Sequence, residues 1–405
     1  MKVVRLMTFS GSYLAYASAN GVGQGETSWL ELWRGLAHDS FSFSDSWEDA
    51  LRAEGVDAID LPHGVPFIDR VYAAEMGIDG EAMTSTLHRL KIYAPDVLFL
   101  SSLEAWTTSQ VDAIRVAVPT IRAVVGMAGV SIAHLPVLKR VDVLLTCMKG
   151  LAADLKADGL DARVVSHAFD PRILDRLDLI DDNRTGFAFF GNVVSGPQYH
   201  DERLAFLERL AEQVGLVPYS DEMMSAGLLG GRFAQQSAAY YLGKLTAYLP
   251  SGAADMIPNI ALWRQAAKWP RPPRVPREGA LKRHRRPAVY GLDMYRALAR
   301  TALTFNMHIG GAGPYAANMR LYEATGVGAC LLTDAKSDLA EYFEPDVEVI
   351  AYRSKEEAEE KARYLLDHPA EMRAIGAAGQ RRTLTCHTYR SRAPIVASAL
   401  KAALE

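Results

Sequence analysis

A chain of 405 residues, 49% apolar and 23% charged, can bury more than one ordinary core, so two α/β domains are expected. The net charge of −4 and the pI near 6.2 give no signal for a nucleic-acid partner. No apolar run approaches the ~18 residues that a membrane span requires, which argues against a transmembrane segment.

Residues 2–9 form the first predicted strand, because Thr8, Ser10 and Gly11 interrupt any apolar stretch that a signal peptide would need. The three cysteines, Cys147, Cys330 and Cys386, have neither metal-ligand spacing nor an even number for disulfides. Reduced thiols in a cytoplasmic protein are the expectation.

Short apolar strands alternate with helices up to about residue 175, which predicts a parallel sheet covered on both faces. The predicted strands are Val3–Phe9, Val56–Leu61, Asp96–Ser101, Ile121–Val125, Val141–Thr146 and Arg163–Ser166, with helices such as Ala82–Ile92, Ser109–Ala117 and Gly150–Asp158 between them. Residues 10–27 are predicted as a long loop after the first strand. Ligands bind beyond the carboxyl ends of such strands, so Ser10, Gly11 and Tyr13 are candidate acceptor contacts, or else part of an ordered surface loop.

A second alternation follows the acidic segment Pro171–Arg184, which is predicted to be an interdomain linker. It begins with the strand Gly186–Phe190 and the helix His200–Gln213. Residues 222–288 are predicted as a helical and basic insertion, since prolines and arginines crowd its end, 268–286, and exclude a regular element there. That basic loop is either solvated or a contact for an anionic ligand, a glycan or a membrane surface.

The most informative stretch is Asn306–Asp334, NMHIGGAGPYAANMRLYEATGVGACLLTD. A helix, Met294–Arg300, and a strand, Ala302–Met307, lead to His308 and then to a glycine-rich turn. The following helix carries Glu323 about two turns in, and the strand Ala329–Thr333 comes next. The remaining predicted elements are the strand Val347–Ala351 and the helical stretches Ser354–His368 and Pro369–Leu404.

A glycine-rich turn that opens a helix is a natural anion site, since backbone N–H groups and the helix dipole point at the ligand. The carboxylate of Glu323 could accept hydrogen bonds from sugar hydroxyls. A ligand with a diphosphate and a ribose needs both the anion site and the carboxylate. The alternative for Glu323 is a buried ion pair with Arg320.

Several blocks taken together resemble the CgeB-like group of bacterial GT-B glycosyltransferases, allied to glycosyltransferase family 1. These are AFDPRIL (168–174), FFGNVVSGPQYHDERLAFLERLA (189–211), GLDMYRALA (291–299), NMRLYEATGVGACLLTD (318–334), LAEYFEPDVEVIAY (339–352), YLLDHPAEM (364–372) and AGQRRTLTCHTYRSR (378–392). Their order and spacing carry the resemblance, which covers most of the second half of the chain and the first half more loosely.

The resemblance implies two Rossmann-like domains that face each other across a cleft. We expect an acceptor domain over 1–175, a nucleotide-sugar donor domain over 176–385, and a helix over 386–405 that crosses back to the first domain. Nucleoside diphosphate sugar would be a co-substrate, and neither a cofactor nor a metal is expected, in agreement with the lack of a DxD motif. Helix N-termini and basic side chains would then stabilise the leaving diphosphate.

The resemblance also implies site residues: Glu323 matches the carboxylate that related enzymes use on the ribose, and Gly191 and Asn192 match the turn that approaches the nucleotide. By their positions, His308 at the carboxyl end of a strand and Arg320 in the first turns of the helix are the candidate catalytic residues. The other candidate donor contacts are Arg203, Gly310, Gly311, Gly313, Tyr315 and Asn318.

One departure affects the mechanism. Many retaining relatives carry two glutamates separated by seven residues, and the position eight residues before Glu323 is Tyr315. The stereochemical outcome is therefore open. An inverting mechanism would need a base from the first domain, where Glu104, Asp60 and His134 are candidates. The expected function is metal-independent sugar transfer (hexosyltransferase type); the alternatives are a nucleotide-sugar 2-epimerase of the same fold and a non-catalytic module that binds glycan or nucleotide.

Overall fold

The computed structural model describes residues 1–22, 25, 28–42, 44–129, 135–178, 184–193, 203–221, 237–245, 281–308 and 312–405. Most of the predicted insertion over 222–288 lies outside these ranges, as do three candidate site residues, His134, Gly310 and Gly311. Within the described part, no helix is both long and apolar enough to cross a bilayer.

The described residues form two six-stranded sheets in which every pair of neighbouring strands is parallel. The first sheet has the order β2-β1-β3-β4-β5-β6, and the second has the order β12-β11-β10-β7-β8-β9. The strands of the first sheet are β1 Lys2–Met7, β2 Asp57–Pro62, β3 Val97–Leu100, β4 Ala123–Ala128, β5 Val143–Thr146 and β6 Asp161–Val164. Those of the second are β7 Thr185–Phe190, β8 Val217–Ser220, β9 Arg286–Pro287, β10 Thr301–Asn306, β11 Cys330–Asp334 and β12 Ile350–Tyr352.

Helices cover both faces of each sheet. Those before the second sheet are α1 Gly11–Ala19, α2 Trp29–His38, α3 Ser46–Ala53, α4 Pro66–Met76, α5 Ala82–Tyr93, α6 Thr108–Ala117, α7 Lys149–Ala157 and α8 Arg172–Arg176. Those that follow are α9 Arg203–Val214, α10 Leu281–His284, α11 Gly291–Arg300, α12 Arg320–Gly326, α13 Leu339–Tyr342, α14 Lys355–Asp367, α15 Pro369–Cys386 and α16 Tyr389–Ala402. Residues 237–245 are also helical.

The central strands are apolar along their whole length because both faces of the sheet are covered. All four residues of β3, VLFL, are fully buried, and Leu98 lies opposite Val4 of β1 and Val124 of β4. Such a continuous apolar run is the pattern of a buried parallel strand rather than of an alternating one. This is why the sequence located the strands of the first sheet to within a few residues.

The prediction of a loop over residues 10–27 is wrong in its first half, where the chain forms α1. Ser10 caps this helix, and its hydroxyl accepts a hydrogen bond from the backbone N–H of Tyr13 at 3.2 Å. Gly11 follows the cap as the first residue of the helix. A serine N-cap supplies an acceptor that the first turn otherwise lacks, which outweighs the weak helix propensity of this segment.

The expected crossing of the C-terminal helix to the first sheet is confirmed. Helix α16 packs on α3, and the rings of Tyr389 and Trp47 meet edge to face with centroids 5.1 Å apart. Where the chain crosses, the backbone N–H of Phe169 donates to the carbonyl of His387 at 2.9 Å. The segment that leaves the first sheet after β6 and the segment that returns to it before α16 therefore lie side by side.

The predicted acidic linker is in its described part a short helix, α8, that is anchored to the first half of the chain. Arg172 forms ion pairs with Asp170 at 2.6 Å and Asp45 at 3.0 Å, and a third with Asp49. Asp170 in turn accepts from the hydroxyl of Ser46 at 2.9 Å. Arg172 therefore fixes the start of this segment to the carboxylates of Asp45, Asp49 and Asp170.

A second contact between the two halves is centred on Asp39, at the end of α2. Its carboxylate accepts from the backbone N–H of Leu292 at 3.1 Å, at the start of α11, and from the hydroxyl of Tyr13 at 2.9 Å. Burial raises the pKa of Asp39 to about 6, and the nearby Asp293 adds to this. The two hydrogen bonds and the charge of Arg296 oppose the rise and do not cancel it.

We expect Asp39→Asn to be more stable than the wild type at about pH 8 by up to about 3 kcal/mol, and equally stable near pH 4. The pKa is higher in the folded state, so folding takes up a proton between about pH 4 and about pH 6, and wild-type stability falls as pH rises through that window. The asparagine carries no charge to desolvate. Thermal unfolding of both proteins across this range measures the difference, and a variant less stable than the wild type at about pH 8 would contradict this expectation.

Candidate functional site

A cavity of about 600 Å³ lies between the two sheets, where the carboxyl ends of their strands face each other. Its N-terminal wall comprises Phe41, Ser42, Trp47, Ser102, Glu104, Met127, Ala128, Gly129, Cys147, Val165, Ser166, His167 and Ala168. Its C-terminal wall comprises Phe189, Phe190, Gly191, Asn192, Arg203, Tyr219, Asp221, Ala288, Val289, Tyr290, Met294, Asn306, Met307, Ala317, Asn318, Met319, Arg320 and Glu323. Tyr389 of α16 also lines it. Carboxyl ends of parallel strands are where ligands bind in open α/β sheets.

Arg320 and Glu323 form a buried ion pair in the C-terminal wall. The Nη1 atom of Arg320 lies 2.8 Å from Oε2 of Glu323, and the side chains are 13% and 8% exposed. Nη2 of Arg320 also donates to the carbonyl of Phe190 at 3.2 Å. The pair was one of two alternatives for Glu323, and the structure places it directly at the cavity. A cation fixed beside a carboxylate can serve a ligand that has both an anionic group and hydroxyls.

Arg203, at the start of α9, is the other basic side chain of this wall among the described residues. Its Nη2 donates to the carbonyl of Met307 at 2.7 Å, and its guanidinium lies 5.8 Å from the ring centroid of Phe189. Burial lowers the pKa of Arg203 to about 10, against the opposing influence of Asp334 and Tyr352. The residue stays charged at neutral pH and is held rigidly at the cavity.

Gly191 and Asn192 follow β7 directly and border the cavity, as predicted for the turn after this strand. A Cβ at Gly191 would lie 3.1 Å from the ring of Phe189. Asn318 also lines the cavity, and its amide donates to Oδ1 of Asn306 at 2.7 Å. These residues present backbone and amide groups to a ligand close to the two arginines.

His308 does not line the cavity in the described structure; it lies behind the C-terminal wall and is 3% exposed. Its Nδ1 is 2.6 Å from Oδ1 of Asp334, and its backbone N–H donates to the same oxygen. Burial raises the pKa of Asp334, but the hydrogen bond and charge of His308, together with Lys336, bring it to about 2. The imidazole of His308 is bonded to Asp334, the last residue of β11, and does not line the cavity in the described structure. This arrangement does not support the predicted contact of His308 with substrate.

The glycine-rich turn does not open the helix. Helix α12 begins at Arg320, seven residues after Gly313, and Glu323 lies in its first turn rather than two turns in. The carbonyl of Gly313 accepts from Nζ of Lys336 at 3.1 Å. Gly313 and Tyr315 do not line the cavity in the described structure, and Tyr315 lies near Lys149, with 5.9 Å between its ring centroid and Nζ. The segment between Gly313 and α12 is held beside the start of α13, where the backbone N–H of Ala316 donates to the carboxylate of Asp338 at 2.7 Å.

Glu104 belongs to the N-terminal wall, as the sequence suggested for an acceptor-side residue. It lies in a short 3-10 turn after β3, and Ser102 enters that turn in the left-handed conformation with φ of +50°. Leu103 fixes the turn by packing against Gly126, where a Cβ would come within 2.9 Å of it. Glu104 is exposed by its overall surface, but partial removal of its carboxylate from water raises its pKa above its usual range. Glu104 therefore lines the cavity with a carboxylate of increased proton affinity.

Four other residues predicted for the acceptor side do not line the cavity in the described part of the chain: Ser10, Gly11, Tyr13 and Asp60. Ser10 and Gly11 form the start of α1, and Tyr13 is fully buried, so none of them lines the cavity in the described part. Asp60 is 1% exposed and bonded to Arg5 at 2.6 Å, which makes it a structural ion pair. Tyr13 supports the site indirectly, because its ring stacks on Phe41 with centroids 3.9 Å apart.

The sequence reasoning missed His167, which follows β6 in the N-terminal wall. Burial lowers the pKa of His167 to about 4, so the imidazole is neutral near pH 7. It also missed Tyr219 and Asp221 at the end of β8, where the hydroxyl of Tyr290 donates to the Asp221 carboxylate at 2.8 Å. The rule that ligands lie beyond strand carboxyl ends, applied to every predicted strand, would have found His167.

Comparison with known proteins identifies the fold of the chain. Residues 251–397 match the sequence model of a family described as glycosyl transferase-like. The Anabaena protein HepE, solved with UDP-glucose, superimposes with a TM-score of 0.54 at 10% identity, covering 99% of this chain and 100% of its own. The chain has the GT-B fold.

Two further GT-B structures resemble this chain over nearly its full length. Sucrose-phosphate synthase from Thermosynechococcus elongatus gives a TM-score of 0.52 at 9% identity, covering 99% of both chains. AviGT4, a glycosyltransferase involved in avilamycin A biosynthesis, gives 0.50 at 14% identity, covering 100% of this chain and 98% of its own. No curated protein matches the chain by sequence. The structural likeness therefore establishes the GT-B fold, and the match to the glycosyl transferase-like family model covers residues 251–397.

Proposed function

We propose that this protein is a glycosyltransferase that moves a sugar, of the hexose type, from a nucleoside diphosphate to an acceptor hydroxyl without a bound metal. The observation that carries the proposal is the position of the cavity's cations. Among the described lining residues both arginines, Arg203 and Arg320, belong to the C-terminal wall, together with the carboxylates of Asp221 and Glu323. The N-terminal wall has the proton acceptors Glu104 and His167 and no arginine or lysine among its described residues. A diphosphate donor and a hydroxyl acceptor need these two chemistries on opposite sides.

The donor would lie on the C-terminal wall. Arg203 and Arg320 would bind the diphosphate, and Glu323 would accept hydrogen bonds from the ribose while it remains paired with Arg320. Gly191 and Asn192 would approach the nucleotide with their backbone. HepE was solved with UDP-glucose in the same fold, which supports a donor of this class. The closer assignment to the CgeB-like group and a cytoplasmic location are also proposals, resting on the motifs and the cysteine content.

The transfer step would use both walls. The acceptor oxygen attacks the anomeric carbon and forms the new C–O bond, while the bond from that carbon to the diphosphate oxygen breaks. The electron pair leaves with the diphosphate, whose added charge faces the two arginines. The hydroxyl proton passes to the carboxylate of Glu104, whose raised pKa suits proton acceptance. Fixed cations aimed at a developing charge are the largest source of rate enhancement in such sites.

A thermal-shift screen against UDP, GDP, dTDP, CMP and ADP, each with and without Mg²⁺, tests donor binding. We expect one nucleoside diphosphate to stabilise the protein by about 2.7 kcal/mol at a hundred times its dissociation constant, equally in both conditions. A shift that appears only with Mg²⁺ would overturn the metal-independent part of the proposal. The absence of a shift with every nucleotide would overturn the donor class.

Glu323→Ala should weaken binding of that nucleotide by about tenfold or more, because a hydrogen bond to a charged group is worth about 1.5–3 kcal/mol. Titration calorimetry measures the change. Glu360→Gln, an exposed glutamate on α14, is the matched control and should bind as the wild type does. Unchanged affinity in Glu323→Ala would remove Glu323 from the nucleotide site.

A further inference from the structure

The two walls of the cavity differ in chemistry. Among its described residues the N-terminal wall has no lysine or arginine, and Glu104 is its one acidic side chain. His167 is neutral near pH 7 because burial lowers its pKa to about 4. An anionic acceptor on this wall would lie beside a carboxylate without a compensating cation, and like charges brought together in this way disfavour binding.

Most of the remaining side chains of the N-terminal wall are apolar. Phe41, Trp47, Met127 and Val165 contribute rings or aliphatic surface. Phe41 is partly exposed, and its ring is held in place by its stacking on Tyr13, with 3.9 Å between centroids and 8° between planes. A fixed aromatic ring at a cavity wall binds an apolar or planar group without further loss of side-chain freedom.

Trp47 adds a polar group to this apolar surface. The residue is 2% exposed and lines the cavity, and its indole N–H has no hydrogen-bond partner among the described residues. A buried donor of this kind normally finds a partner.

We infer that the acceptor of the proposed transfer is an uncharged hydroxyl compound with an apolar ring or chain, which packs against Phe41, Trp47 and Met127. The inference rests on the proposed function and names the substrate class of the same cavity. The hydroxyl lies at Glu104, which takes its proton as the oxygen bonds to the anomeric carbon and the diphosphate leaves. The basic segment at 268–286, most of which lies outside the described residues, had suggested an anionic ligand, and the charges of the N-terminal wall argue against an anionic acceptor there.

A matched set of acceptors tests the inference: phenyl β-D-glucoside, phenyl β-D-glucoside 6-phosphate, and glucose, each with UDP-, GDP- and dTDP-glucose. Nucleoside diphosphate release and product mass are measured together. We expect kcat/KM for the neutral phenyl glucoside to exceed that of the phosphate and of glucose by about tenfold or more. Equal or better use of the phosphate or of glucose would overturn the inference, as would donor consumption without a phenyl glucoside product.

Failure of the proposed function has a different signature. Neither nucleotide binding nor donor consumption would then be observed with any acceptor, and the inferred acceptor class would be wrong as well.

Where transfer occurs, Phe41→Ala should raise KM for phenyl glucoside about tenfold and leave KM for the donor unchanged. Phe41→Tyr keeps the ring and should restore KM, and Ile92→Ala, at a site 61% exposed, is the control. An unchanged acceptor KM in Phe41→Ala would overturn the predicted packing.

Discussion

Arg320→Ala is expected to lower kcat for sugar transfer by about 10²–10³-fold, the usual effect of removing one group that stabilises a developing negative charge. The guanidinium lies in the wall that we assign to the donor, where its ion pair with Glu323 and its bond to the Phe190 carbonyl fix its position before substrate binds. A preorganised cation stabilises the departing diphosphate without reorganisation during the reaction. Steady-state kinetics with a saturating donor measures the effect.

The same substitution leaves Glu323 buried and unpaired, which by itself can cost about 3–5 kcal/mol of stability. The double variant Arg320→Ala/Glu323→Gln removes that unpaired charge. It should regain much of the lost Tm and none of the lost kcat. Arg300→Ala, at an exposed arginine at the end of α11, is the control for charge alone. Recovery of kcat in the double variant would show that Arg320 acts only by supporting the fold.

Glu104→Gln is expected to lower kcat by about 10²–10⁴-fold, the range for loss of a general base, with the donor dissociation constant unchanged. The glutamine fills the same space on the N-terminal wall but cannot take the acceptor proton at neutral pH. Acceptor-dependent release of nucleoside diphosphate measures kcat, and calorimetry measures donor affinity. Together they separate the loss of the base from a loss of donor binding.

The pH profile gives a second readout for Glu104. The base acts when it is ionised, and its pKa is raised, so wild-type kcat should fall as pH decreases through a value above the usual range for glutamate. The Gln variant should lose that acidic limb. A variant with the same kcat and the same acidic limb as the wild type would assign the proton to another group, and His167 is then the next candidate on this wall.

Much of the fold could be predicted from the sequence, since buried parallel strands are continuous apolar runs bounded by turn residues. The run Val97–Leu100 is an example, and the helix that crosses back to the first sheet was expected from the resemblance to GT-B glycosyltransferases. The failures have local causes. Ser10 converts a glycine- and serine-rich stretch into a capped helix, and Arg172 fixes the start of the predicted linker through ion pairs with Asp45, Asp49 and Asp170.

The site was predictable where a residue directly follows a strand or shares one helix with its partner. Gly191 and Asn192 after β7, and Glu323 three residues after Arg320, lie at the cavity as expected. Residues whose role depends on distant partners were not predictable. His308 is turned away by Asp334, twenty-six residues later, and the bond from Leu292 to Asp39 joins residues 253 positions apart. Neither pairing leaves a pattern within a local window of sequence.

The most direct test of sugar transfer is to follow donor consumption with the nucleotide that the binding screen selects, in the presence and absence of phenyl β-D-glucoside. The account predicts that nucleoside diphosphate release depends on the acceptor and that the product gains the mass of one sugar. Conversion of the donor without acceptor into an isomer would indicate a nucleotide-sugar 2-epimerase instead. Tight nucleotide binding with no turnover across an acceptor panel would contradict an enzymatic role and indicate a binding module of the same fold.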